Sequence, residues 1–190
     1  MCIRDSSGSI KTGKYADVND YVAELAKGLK SVIDQAGGPD KIKGVGVGAP
    51  NGNFFNGCIE FAPNLPWKGI LPLAAMFEER LGIPTALTND ANAAAIGEMT
   101  YGAARGMKDF IMITLGTGVG SGIVINGQMV YGHDGFAGEL GHVIARRDGR
   151  LCGCGRKGCL ETYCSATGVA RTAREFLAAR TDASLSLIHI

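Results

Sequence analysis

Residues 84–122 read PTALTNDANAAAIGEMTYGAARGMKDFIMITLGTGVGSG. From Pro84, PTALTNDA reads as a strand that ends in polar residues. The Ala-rich run ANAAAIGEMTYGAA that follows favours helix. Phe110 to Leu115 is apolar enough for a second strand, then come a Gly-rich turn and a further strand, Gly122 to Asn126. The break at residues 102–108, GAARGMK, separates two halves and suggests two lobes with a cleft. The sequence thus predicts an α/β chain with a polar pair, Asn89-Asp90, at a strand end.

Reading outward gives the same class. Upstream, residues 18–35 place Tyr21, Val22, Leu25, Leu29, Val32 and Ile33 at helical spacing. Asn19 or Asp20 could cap that helix, and Gly37, Gly38 and Pro39 end it. KIKGVGVGAP predicts a short buried strand through Ile42, Val45 and Val47. Residues 49–69 are rich in turn formers, and Leu71 to Leu81 suits a helix. Downstream, Asn126-Gly127 suits a tight hairpin, with a strand beginning at Val130-Tyr131. Residues 132–161 are loop-rich, and residues 165–180 read as a helix.

Composition excludes several classes. The 190 residues are 46% hydrophobic and 19% charged with net charge +1, so nothing marks a nucleic-acid or membrane surface. No apolar run is long enough to span a bilayer, and no signal peptide opens the chain. A cytoplasmic protein is expected.

The two ends read as foreign. The closing residues Leu185 to Ile190, written CTG TCT CTT ATA CAC ATC, have a reverse complement that gives ATG TGT ATA AGA GAC AG one base over. That translates as Met-Cys-Ile-Arg-Asp and the start of a Ser codon, which is how the chain opens. One short DNA element of the transposase-adapter type explains both ends. Residues 1–6 and 185–190 are therefore expected to be scars. Cys2 and His189 leave any metal or catalytic argument.

Three thiols, Cys152, Cys154 and Cys159, lie within eight residues, and His142 stands ten residues upstream. Three sulfurs and one imidazole form a tetrahedral zinc set. Interleaved glycines let the chain fold tightly round a small ion. A disulfide loop or reduced thiols are the alternatives, the former disfavoured in a reducing compartment. Cys58 and Cys164 lack the pattern and are expected as small buried residues.

The Asn89-Asp90 pair has two readings. A carboxylate there can take a proton from a substrate hydroxyl while the amide grips another. Asn and Asp are also ordinary helix caps, which local grounds favour. Gly116, Thr117, Gly118 and Gly120 stand between two strands, where backbone N–H groups can approach phosphate oxygens. A strand follows rather than a helix, so this is not a dinucleotide fingerprint, and a ligand-free hairpin is the alternative. Glu139 and Glu161 flank the Cys/His cluster. They could face a polyhydroxylated ligand or be solvated surface groups. His133 is expected at the surface.

Together GVGVGAP, PNLPW, NDANAAAIGE, LGTGVGSG, ELGH and CGCGRKGCLE resemble the ROK sugar kinases, in particular their glucokinases. The resemblance implies an α/β, actin-like, hexokinase-type ATPase fold (ribonuclease H-like) with two lobes, truncated at both ends. Residues 7–105 would be a partial N-terminal sugar-binding lobe. Residues 106–184 would be a partial C-terminal lobe carrying the phosphate loop and the zinc motif. It implies Asp90 as general base toward a sugar 6-hydroxyl, with Asn89, Glu139, His142 and Glu161 on the other hydroxyls. It implies Gly116, Thr117, Gly118 and Gly120 on the phosphates of ATP with Mg2+. Structural Zn2+ would sit on His142, Cys152, Cys154 and Cys159. The partner would be a small sugar, glucose first, with no nucleic acid and no membrane, and a homodimer is expected of the intact protein. The family's first phosphate hairpin is missing from this sequence, so the 190-residue chain is expected to be inactive. The same family includes sugar-responsive repressors with an N-terminal helix-turn-helix, the alternative reading.

Overall fold

The computed structural model describes residues 8–179. The two expected scars, and Cys2 and His189 with them, lie outside the described residues. Helix α1 spans Val18–Gln35 and buries Val22, Ala26 and Ile33. Its cap is Asp17, whose carboxylate accepts the Asn19 N–H, rather than Asn19 or Asp20. An Asx cap binds an N–H two or three residues onward, so the cap precedes the apolar pattern it starts. Gly37 and Gly38, both at positive φ, carry the chain out of the helix.

Strand β1, Val45–Ala49, pairs in parallel with β5, Thr85–Asn89, residue for residue. Ile42 stands outside β1, and the strand alternates half-buried and exposed residues instead of burying throughout. Between them lie β2 (Gly52–Asn53), β3 (Cys58–Glu60), β4 (Ile70–Leu71) and helix α2 (Leu73–Leu81). The three short strands form an antiparallel sheet in chain order. The main core gathers Val22, Ile33, Ile59, Phe77, Ile83 and Leu87. Trp67 packs on Tyr21 and donates its indole N–H to the Tyr15 carbonyl, which fixes the PNLPW run against α1.

Helix α3, Asp90–Tyr101, follows β5 without a loop. It packs on β1 on one side and on the next sheet on the other. That sheet is antiparallel: β6 (Phe110–Leu115), β7 (Val119–Ile125) and β8 (Gln128–Met129). Strand β7 begins three residues before Gly122, because pairing with β6 recruits Val119, Gly120 and Ser121 despite the weak strand preference of glycine. The final strand is Gln128–Met129, ahead of Val130. A Cβ at Gly122 would stand 2.6 Å from Ala95 Cβ, and one at Gly120 2.9 Å from Ala91 Cβ. Ala on α3 and Gly on β7 therefore make a thin interface, and the thinness brings the start of α3 beside the β6–β7 turn.

The loop-rich stretch carries a 3-10 turn at Leu140–His142 and then the Cys-rich loop. Two helices close the described chain: α4 (Glu161–Cys164) and α5 (Ala166–Ala178), the latter capped by Ser165. No helix among the described residues is long and apolar enough to cross a membrane.

Candidate active site

The β5–α3 junction places Asn89 and Asp90 at the mouth of a cavity of about 380 Å³. Its wall also holds Gly116, Thr117, Gly118 and Gly120 from the β6–β7 turn, and Glu139 and Glu161. The helix-cap reading is met: the Asn89 side chain caps α3, accepting the Ala91 N–H at 2.8 Å. One Asp90 carboxylate oxygen accepts the same N–H at 3.0 Å, and its other oxygen accepts nothing among the described residues. Cap and site are thus the same two residues, which suits a carboxylate held rigidly at a helix N-terminus.

Desolvation at the cavity wall raises the Glu139 carboxyl above its ordinary value; His142 opposes this, while Asp90 and Glu161 add to it. Glu139 thus feels three neighbouring charged or ionisable groups across one site. Glu161 reaches two ways. Its Oε2 accepts the Val119 N–H at 3.4 Å, and its Oε1 accepts the Cys152 thiol at 3.0 Å. His142 lines an adjoining cavity of about 560 Å³ that shares Asn51, Asn64, Thr117, Gly118 and Glu161 with the first.

Asn51 and Asn64 were not singled out from the sequence. They lie in the turn-rich segment, where no periodicity marks them, although Asn64 belongs to the PNLPW run. Thr114, at the end of β6, is a third cavity residue of this kind. His133 is exposed, as expected. Cys58 and Cys164 are half-buried, not fully buried, because each lies at the rim of its element.

His142, Cys152, Cys154 and Cys159 converge: their ligand atoms all lie within 4.8 Å of one another. Cys154 Sγ and Cys159 Sγ are 3.6 Å apart, as are Cys152 Sγ and His142 Nδ1. A zinc tetrahedron with bonds of about 2.3 Å to sulfur has edges of about 3.8 Å, so the set is already near the size of one. The backbone N–H of Arg156, joined by its guanidinium, lowers the Cys154 thiol to about 6. Burial pushes Cys152 up to about 12, and the carboxylate of Glu161 adds to that. Gly158, at φ +80, lies where a Cβ would strike the Arg146 carbonyl, so only glycine lets the knuckle close.

Residues 1–189 match the ROK family. The chain belongs to the ROK family. Glucokinase of Halalkalibacterium halodurans is 46% identical over 186 residues, which are 97% of this chain and 53% of that relative. The xylose repressor of Bacillus subtilis is 31% identical, covering 86% of this chain and 44% of its own length. Among solved structures, a ROK family glucokinase from Streptomyces griseus in complex with glucose and AMPPNP matches with a TM-score of 0.67 at 37% identity. It covers 87% of this chain and 52% of that one. ROK hexokinase from Thermus thermophilus matches with a TM-score of 0.70 at 32% identity, over 85% of this chain and 53% of that one. This ROK chain spans about half the length of the relatives it matches. Its fold is the α/β, actin-like, hexokinase-type fold of those kinases.

Proposed function

We propose that the protein carrying this ROK segment transfers the γ-phosphoryl group of ATP to the 6-hydroxyl of glucose. The observation that carries the reading is the single cavity whose wall combines the Asn89-Asp90 pair with the Gly116–Gly120 turn. A carboxylate and a cluster of backbone N–H donors facing one space suit a hydroxyl nucleophile and a phosphate. The similarity to a glucokinase solved with glucose and AMPPNP supports the same assignment.

Asp90 then acts as general base, its unengaged oxygen taking the hydroxyl proton as the sugar oxygen attacks phosphorus. Asn89, Glu139 and Glu161 hold other hydroxyls, and His142 reaches them from the adjoining cavity. Mg2+ accompanies ATP and offsets charge on its phosphates. His142, Cys152, Cys154 and Cys159 would hold Zn2+. With four protein ligands it has no open position for water, so it supplies structure rather than a nucleophile. In this reading residues 7–105 contribute the sugar-binding lobe and residues 106–184 the phosphate and zinc lobe. The intact protein is a cytoplasmic homodimer that binds a small sugar and neither nucleic acid nor membrane, and the 190-residue chain alone does not turn over.

The similarity to xylose repressors favours one other reading, a sugar-responsive regulator. The test is ATP-dependent phosphorylation of glucose by the gene product that contains this segment, beside Asp90→Asn. The expected result is turnover in the parent and a loss of about 10²–10⁴-fold in the variant, with glucose still bound. Glucose binding without turnover on any hexose would overturn the kinase reading in favour of the regulator.

A further inference from the structure

The β6–β7 turn is fastened from behind. The Gly116 carbonyl accepts the Ala166 N–H at 2.9 Å, and the Thr117 carbonyl accepts the Thr167 hydroxyl at 2.9 Å. Both donors belong to the first turn of α5. The Thr167 oxygen lies 3.0 Å from the Ser165 hydroxyl oxygen, and Ser165 in turn accepts the Gly168 N–H at 3.0 Å. Thr167 has one hydroxyl proton, and it goes to Thr117. Ser165 must therefore donate to Thr167. The result is a one-way chain from the Gly168 N–H through two hydroxyls to the Thr117 carbonyl, each link strengthening the next.

A trans peptide is planar, with its N–H opposite its carbonyl. Fixing the Gly116 and Thr117 carbonyls toward α5 therefore turns the Thr117 and Gly118 N–H groups the other way. Those two groups donate to nothing among the described residues. Thr117 and Gly118 both line the cavity that holds Asp90.

We propose that Thr167 is a positioning residue for the phosphate turn: its hydroxyl holds the 117–118 peptide so that the Gly118 N–H faces the cleft and donates to a phosphate oxygen of the nucleotide. This rests on the kinase reading of the turn. Thr167 is itself exposed, and besides the Thr117 carbonyl its hydroxyl meets only the Ser165 hydroxyl among the described residues, so the folding controls below separate its hold on the turn from its part in the cap of α5.

The experiment titrates the gene product that contains this segment with ATP and Mg2+ while following the Thr117 and Gly118 amide resonances. Parent, Thr167→Val and Thr167→Ser are compared, with circular dichroism and zinc content confirming equal folding, and Thr167→Ala serves if the Val variant misfolds. The expected result is saturable shifts at both amides in the parent and about tenfold weaker binding in Thr167→Val, the scale of one lost hydrogen bond. The Gly118 resonance should also move in Thr167→Val before any nucleotide is added, and Thr167→Ser should behave as the parent. Equal ATP affinity in parent and Thr167→Val overturns the role of Thr167 and leaves the kinase reading standing. A parent that shows no ATP-induced shift at either amide overturns the phosphate assignment of the turn, and the role of Thr167 with it.

Discussion

Cys154 is the exposed member of the sulfur cluster, yet Arg156 keeps its thiol near the point of ionisation. A metal needs thiolate, so a site with one sulfur already poised has one proton fewer to lose on loading. Cys154→Ser removes that ligand without altering the core. On the zinc reading proposed above, the expected outcome is one zinc per chain in the parent and none in the variant, read by metal analysis of purified protein, with a fall in the thermal midpoint. An unchanged zinc content in the variant would count against the four-ligand set. At this scale much was legible in the sequence, because close Cys spacing with interleaved Gly is a local signal. Asn51 and Asn64 were not legible. Each is an unremarked polar residue in a turn, and only the closing of the chain brings them to the cavity that Asp90 lines. Asp90 illustrates the limit from the other side. Its local surroundings read as a helix cap, which it partly is, and its place in a cavity wall shows only once the β6–β7 turn stands opposite.

Among elements, α3 and β7 set where the cavity lined by Asp90 and the β6–β7 turn lies. Their contact is Ala against Gly, so the backbone of the helix start comes close to the turn. Gly122→Ala places a methyl carbon where Ala95 Cβ already lies within 2.6 Å. Overpacking of this kind costs about 1–3 kcal/mol. Urea denaturation should show that loss, and the sugar and nucleotide affinities should fall together as α3 is pushed from the sheet. A variant of parental stability would mean that the interface has slack. The elements that the sequence located well are α1, a strongly periodic run, and β6, a continuous apolar run, both with Gly just beyond their C-terminal ends. Those it missed include β2, β3 and β4, two or three residues long, which have too few positions to show alternation; β4 also takes Leu71, read as the start of a helix that begins at Leu73. The start of β7 was placed late for another reason: cross-strand pairing, not local preference, makes Val119–Ser121 a strand.

The whole molecule carries apolar surface that its described elements do not cover. Ile111, Ile113 and Leu115 project from one face of β6, each more than half exposed, and Phe176 stands 70% exposed on α5. A contiguous stripe of this kind invites association. The 190-residue chain is therefore expected to self-associate as its concentration rises, as light scattering would report. Ile113→Lys should shift that onset upward at least severalfold, and an unaffected onset would place the contact elsewhere. Glu161 has a different consequence at this scale. One carboxylate holds the Val119 amide with one oxygen and the Cys152 thiol with the other, so whatever engages either end changes the free energy of the other. Linkage then requires reciprocity: if a sugar drawn to Glu161 alters nucleotide affinity by some factor, the nucleotide alters sugar affinity by that same factor. The order in which the two arrive would change the path and leave the doubly bound state the same.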